Sequence, residues 1–272
     1  MAADEPDPVG HLRAGAPSEI LLLVDHAGRL VPRRLGRLGL AESEFERHIA
    51  WDIGALGVAT RLSEALEAEM LYQRYSRLVI DCNRPLQAAS AFVARSDGCA
   101  IEANAALDAQ GAAMRVAEIF HPYHAAIASA LDQRAARAQP TALVSIHSFT
   151  PVHGERPGAR PWHIGLLFNR DARLAHTLAA LLEAEGDLTV GLNQPYAVDD
   201  ASDYAIPVHG EARGLVHVEI EIRQDQIATE TGQAAWAARL ARLLPLALDG
   251  LGASADWARP IRATAQAEGE GR

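Results

Sequence analysis

The chain has 272 residues, 49% of them hydrophobic, with a formal net charge of -10 and 2 cysteines. That apolar share supports a substantial core and excludes wholesale disorder. The acidic balance excludes a general nucleic-acid or anionic-membrane binder, and Cys82 and Cys99 cannot make a disulfide framework. No apolar run approaches the roughly 18 residues of a transmembrane helix. The start of the chain is acidic and lacks a signal-peptide pattern, so the expected compartment is the cytoplasm.

Residues 1–17 are rich in proline, glycine and charge and read as a mobile lead-in. Glu19 to Asp25 is a continuous apolar run, the pattern of a buried strand, and it delivers His26 at its end. Residues 42–49 and 53–69 read as helices, and Leu71–Tyr75 and Leu78–Ile80 as strands. Residues 110–137 read as a long alanine-rich helix or a broken pair, with Pro122 marking a start or kink. Ala142–Ile146 is a second buried strand and delivers His147, and His163–Phe168 is a third. A helix over 171–185, a strand over Leu215–Ile222 and a helix over 229–248 follow. The stretch 193–213 lacks periodicity and has the length of a functional lid. Residues 250–272 read as a flexible tail, leaving 18–249 as one domain. Alternating strands and helices imply an α/β domain with a largely parallel sheet.

In such a sheet the ligand crevice lies beyond the carboxyl ends of the strands. Two strands end in histidine there, His26 and His147, and a third carries Glu219 and Glu221 on one face. Two acids on one strand face are costly to bury without a function. Two histidines and an acid describe an open zinc site. Asp52 opens a helix, which suits an N-cap. His48, four residues earlier, offers an alternative ligand or a partner that orients one. Arg74, Arg77 and Arg84 cluster near one strand, with Asn83 and Arg84 at its end. Guanidinium forks match carboxylates, so a carboxylate-bearing substrate is expected. Cys82 reads as a packing residue, and His121 and His124 as capping or surface positions.

The ordered set of motifs resembles the N-formylglutamate amidohydrolase family over about residues 19–247. It comprises Asp25-His26-Ala27-Gly28, Trp51-Asp52-Ile53-Gly54 and Tyr75-Ser76-Arg77-Leu78-Val79-Ile80-Asp81-Cys82-Asn83-Arg84-Pro85. It continues with His121-Pro122-Tyr123-His124, Ser145-Ile146-His147-Ser148-Phe149 and Glu219-Ile220-Glu221-Ile222-Arg223. The resemblance implies a three-layer α/β/α sandwich, distantly similar to zinc carboxypeptidases and phosphorylase/hydrolase-like. Its sheet would be mixed, largely parallel, and of about eight strands. It implies zinc-dependent hydrolysis of N-formyl-L-glutamate, or a close N-acyl amino acid, with one Zn2+ ion. His26 and His147 then resemble the histidine ligands, and Asp52 is the candidate acidic ligand, because the acid position of the carboxypeptidase pattern is Arg29 here. Glu221 resembles the catalytic glutamate, with Glu219 its rival on the same face. Asn83 and Arg84, with Arg77 or Arg74, resemble the carboxylate-holding set. His209 and Tyr204, in the long stretch before the last strand, are candidate substrate contacts. The implied partner is a small anionic N-acyl amino acid, with no nucleic acid or membrane. The alternatives are a deacylase for another anionic N-acyl amino acid and a non-catalytic carboxylate-binding protein of the same fold.

Overall fold

A computed structural model describes residues 2, 4–155, 158 and 160–252, so most of the tail expected over 250–272 lies outside the described residues. In chain order the strands are β1 (Val9–Leu12), β2 (Ile20–Val24), β3 (Glu69–Gln73), β4 (Arg95–Ser96), β5 (Cys99–Ala100), β6 (Ala142–Phe149), β7 (Ile164–Leu167), β8 (Val190–Leu192) and β9 (Val216–Arg223). The helices are α1 (Ala55–Ala65), α2 (Glu102–Ala105), α3 (Ala109–Arg115), α4 (His121–Ala136), α5 (Arg173–Glu183) and α6 (Glu230–Gly250). No helix among the described residues is long and apolar enough to cross a membrane.

Seven strands form one sheet in the order β1-β3-β2-β6-β9-β7-β8, and β4 and β5 form a separate hairpin. The sheet is mixed: β1 pairs antiparallel with β3 and β7 antiparallel with β9, while the remaining neighbours run parallel. Among the described residues this sheet has seven strands, against the about eight that the resemblance implied.

Strand alternation sorts the two faces. Val144 and Ile146 of β6, with Val218, Ile220 and Ile222 of β9, meet Val58 and Leu62 of α1, Leu178 and Leu182 of α5, and Trp236 and Leu240 of α6. Their neighbours Leu21, Leu23, Leu71 and Leu143 face Tyr123, Ile127 and Leu131 of α4. The result is the expected three-layer α/β/α arrangement. On the α4 face β6 starts with the apolar Leu143, whereas β9 starts there with His217. Toward their carboxyl ends the inward positions become Ser145 and His147 on one strand and Glu219 and Glu221 on the other, all buried. The parallel register sets Ser145 opposite Glu219 and His147 opposite Glu221.

Two local readings differ from the structure, and a third is settled by it. The 1–17 lead-in contributes an edge strand, β1, paired from Val9 opposite Gln73 to Leu12 opposite Met70. Gly10 permits it, because a Cβ there would sit 2.0 Å from the Tyr72 ring. The apolar run Leu78–Ile80 is a buried turn, not a strand. The carbonyls of Leu78 and Val79 accept from Asn104 Nδ2 and Arg115 Nη1, each at 2.8 Å, so side chains replace the missing ladder. The helix expected over 110–137 runs on from α3 to α4 through a π turn at Val116–Phe120, with Pro122 just past that turn.

Candidate functional site

His26 follows β2 and His147 lies within β6, so both stand beyond or near the carboxyl ends of adjacent parallel strands. Asp52 precedes α1 and does not cap it; the cap position is Gly54, at φ 83°. Instead the Asp52 N–H donates to the His26 carbonyl at 2.9 Å, and its carboxylate accepts the Ser148 N–H at 3.2 Å. Backbone bonding thus ties Asp52 to both histidine-bearing segments.

The three side chains converge. His147 Nδ1 lies 2.9 Å from Asp52 Oδ2, His26 Nδ1 lies 3.2 Å from His147 Nδ1, and His26 Nδ1 lies 3.4 Å from Asp52 Oδ2. Donors arranged tetrahedrally at about 2.0–2.1 Å from a zinc ion stand about 3.3 Å apart, so these spacings match the edges of such a site. The other imidazole nitrogens are spoken for. His26 Nε2 donates to Asp81 Oδ1 at 2.7 Å. His147 Nε2 meets Ser145 Oγ at 2.9 Å and Asp25 Oδ2 at 3.3 Å, and Ser145 Oγ donates to Asp25 Oδ2 at 3.0 Å. With the Nε2 protons held by carboxylates, both Nδ1 lone pairs aim at the Asp52 oxygen. Three buried acceptors in mutual contact require a cation among them, a proton or a metal ion.

The site forms the inner end of a cavity of about 290 Å³. Five carboxylates line it, from Asp52, Asp81, Asp203, Glu219 and Glu221, against the guanidiniums of Arg77 and Arg84. That excess of acid fits a divalent cation and means that an anionic substrate needs one. Burial would raise Asp25 and Asp52, but hydrogen bonds and charge from His147 and His26 outweigh it. Asp25 falls to about 2 and Asp52 is lowered as well. Burial would likewise raise Asp81, which Arg77 and His26 instead hold well below the carboxylate range. Glu219 and Glu221 go the other way. Burial raises Glu219 to about 7, and burial with the charges of Asp52 and Glu219 raises Glu221 well above its ordinary value.

The two glutamates differ in their contacts. Glu219 Oε2 accepts from Asn83 Nδ2 at 3.3 Å and lies 3.9 Å from His147 Nε2, on the side away from the converging Nδ1 atoms. Glu221 lies opposite His147 in the register, and its buried Oε2 has no hydrogen-bond partner among the described residues.

The cluster of candidate arginines divides. Arg77 is committed to acids: Nε and Nη2 bind Asp81 Oδ2 at 3.0 and 2.7 Å, and Nη1 reaches Asp52 Oδ1 at 3.5 Å. It holds in place the Asp81 carboxylate that orients His26. Arg84 lines the cavity with its Nη1 bound to the carbonyls of Asn83 and Ser202 and to Asp203 Oδ1. Asn83 pins the loop after β8, its Oδ1 accepting the N–H groups of Tyr204 and Ala205 at 3.1 and 2.9 Å. Arg74 stands apart, donating to the Asp7 carbonyl and stacking on Tyr72. Tyr204 and His209 do not line the cavity either. His209 is buried behind it, 3.0 Å from His124, which in turn bonds the Cys82 carbonyl. Burial depresses His124 to about 4 and His209 to about 3, so this pair is neutral packing. The long stretch 193–213 reaches the cavity through Tyr196, Ala197 and Asp203 instead. His48 is not a partner of Asp52; it meets Asp97.

Sequence reasoning passed over Asp25 and Asp81 as site residues, although both stood in the quoted motifs. The signal was an acid next to each strand-end turn, Asp25 beside His26 and Asp81 after Leu78–Ile80. Asp81→Asn keeps the size but loses the charge that orients His26. Metal affinity is expected to fall about 10–100-fold, measured by competition with a chromophoric chelator while the melting curve stays cooperative.

A family model described as N-formylglutamate amidohydrolase matches residues 18–228. Among solved structures, a gene product of Agrobacterium tumefaciens is similar at 39% identity, over 90% of this chain and 96% of that one, with a TM-score of 0.86. An N-formylglutamate amidohydrolase from Ralstonia eutropha JMP134 is similar at 19% identity, over 89% of this chain and 97% of that one. Its TM-score of 0.67 marks a shared fold. No curated protein matches the sequence.

Proposed function

The chain belongs to the N-formylglutamate amidohydrolase family, hydrolases that act on an amide bond of a small substrate, and on that premise we propose that it cleaves an anionic N-acyl amino acid, N-formyl-L-glutamate foremost, with one zinc ion. The observation that carries this reading is the convergence of His26 Nδ1, His147 Nδ1 and Asp52 Oδ2 at 2.9–3.4 Å, with both Nε2 atoms held by carboxylates. His26, Asp52 and His147 would hold the ion, which when bound supplies Lewis acidity and acidifies water. Borderline-soft nitrogen donors with one carboxylate suit zinc.

Glu221 acts as general base. Its unpartnered oxygen takes the proton of the attacking water and later delivers it to the leaving amine. Arg77 Nη1, whose contact with Asp52 is long at 3.5 Å, is the donor available to the developing oxyanion. Arg84 offers its guanidinium to a substrate carboxylate from the cavity wall.

Two measurements test the reading. The first is a panel of N-formyl and N-acetyl amino acids assayed for amine release. N-formyl-L-glutamate is expected to exceed N-formyl-L-leucine by at least about tenfold in kcat/KM, about 1.4 kcal/mol of discrimination. Preference for the neutral side chain overturns the glutamate assignment, and failure to hydrolyse any member overturns the whole reading.

The second measurement concerns protons. Burial would depress His147, but Glu219, Asp25 and Asp52 outweigh it and hold the metal-free imidazole well above its ordinary value. At pH 7 a metal ion must displace the Nδ1 proton. Zinc uptake is therefore expected to release at least one proton, and affinity to rise about tenfold per pH unit below the folded pKa of His147. Calorimetry in buffers of different ionisation enthalpy measures this; uptake without proton release contradicts it.

A further inference from the structure

At the outer end of the cavity lies a second group of ligand-type side chains that the hydrolytic reading does not use. We infer that His48, Asp97 and His153 form a second, weaker divalent-metal site. Each offers one ligand atom, and the three atoms lie within 4.8 Å of one another. His48 Nε2 stands 3.4 Å from Asp97 Oδ2, and His153 Nδ1 stands 3.2 Å from Asp97 Oδ1. Each distance is close to the roughly 3.3 Å between donors on a zinc ion with bonds of about 2.0–2.1 Å, and the two contacts use different oxygens of the one Asp97 carboxylate.

The local chain builds this group from three segments. Asp97, at φ 43°, turns the β4–β5 hairpin, and its side chain is 8% exposed. The N–H groups of Gly154 and Glu155 donate to Oδ1 at 2.7 and 3.3 Å, and Arg47 Nη2 donates to Oδ2 at 3.1 Å. These contacts orient the carboxylate and leave Oδ2 a lone pair on the His48 side. The Glu155 N–H also approaches His153 Nδ1 at 3.2 Å. His48 Nε2 is buried with no hydrogen-bond partner among the described residues, the condition a metal ion would satisfy. His48 and His153 both line the cavity, which gives an ion its path.

The two groups differ in preorganisation. The inner three atoms already stand at 2.9–3.4 Å in a buried frame. The outer three residues are only partly buried, and His153 sits beside the exposed Val152, where a small shift disturbs little packing. The outer ion is therefore the later to bind.

The test is a zinc titration of tag-free, metal-free full-length protein, with bound metal counted after equilibrium dialysis. Wild type is expected to take two equivalents in two resolved steps. The H48A/H153A double variant should keep the tight step and lose the weak one. H26A should lose the tight step and keep the weak one. Saturation of wild type at one equivalent that H48A/H153A retains overturns the second site, as does a double variant that still binds two. One equivalent that survives in H26A but not in H48A/H153A supports the outer site and overturns the inner one. Should the double variant fail to fold, the wild-type count and H26A decide the matter.

Discussion

The protein with His147 replaced by alanine is expected to lose its tightly held metal ion and to fall by at least about a thousandfold in amidase turnover. The magnitude follows from the several kcal/mol of charge stabilisation that a metal ion supplies to a carbonyl, each 1.36 kcal/mol being tenfold in rate. His147 Nδ1 is the donor nearest Asp52 Oδ2, at 2.9 Å, and its Nε2 is fixed by Ser145 and Asp25. Alanine removes the donor and leaves Asp25 and Asp52 buried with less compensation. A loss of stability accompanies the loss of metal, so the decisive control is His26→Ala. His26 belongs to a different segment, and its loss exposes a different carboxylate, Asp81. Both variants should lose the tight ion by elemental analysis and share the loss of turnover. If either keeps the ion and wild-type turnover, the metal lies elsewhere.

The residues that a sequence displays best are those placed by strand periodicity. His26 and His147 end apolar runs, and Glu219 and Glu221 alternate with isoleucine, so period two alone brings them to one face. The α/β order was legible for the same reason. Contacts across segments were not. His48 sits four residues before Asp52, which suggested a shared helical face, yet residues 42–46 form a 3-10 helix and the chain then turns, sending His48 to Asp97. Nothing local announces that a two-residue hairpin will place Asp97 between His48 and His153. The arginines misled in a similar way. Their number pointed to substrate binding, but in a cavity with five carboxylates Nε and Nη2 of Arg77 are taken up by Asp81, and Arg74 stands outside the cavity altogether. The edge strand β1 escaped because its stabilisation lies in pairing with β3 and in the Tyr72 ring filling the place of a side chain at Gly10. Four residues, Val9–Leu12, are too short a run to carry a periodic sign of either.

Exchanging Glu221 for glutamine is expected to leave the metal in place and to lower turnover by about 10²–10⁴-fold, the usual contribution of a positioned general base. Glutamine keeps the size and the hydrogen-bonding reach but cannot take a proton. Glu219→Gln should be milder, about tenfold, because that side chain is engaged with Asn83 and stands near the outward nitrogen of His147. The two variants also separate in their pH dependence. Burial and the charges of Asp52 and Glu219 raise Glu221, so its proton is lost only as the pH rises. The wild-type rate should therefore climb with pH on the acid side as Glu221 ionises, and the bound cation will shift that limb downward. The residual rate of Glu221→Gln should lack the limb, whereas Glu219→Gln should retain it. An acid limb that survives in Glu221→Gln and vanishes in Glu219→Gln would transfer the base to Glu219. Measuring both profiles alongside metal content keeps a change in the base distinct from a change in the ion, because the two carboxylates share one strand face and one imidazole neighbour.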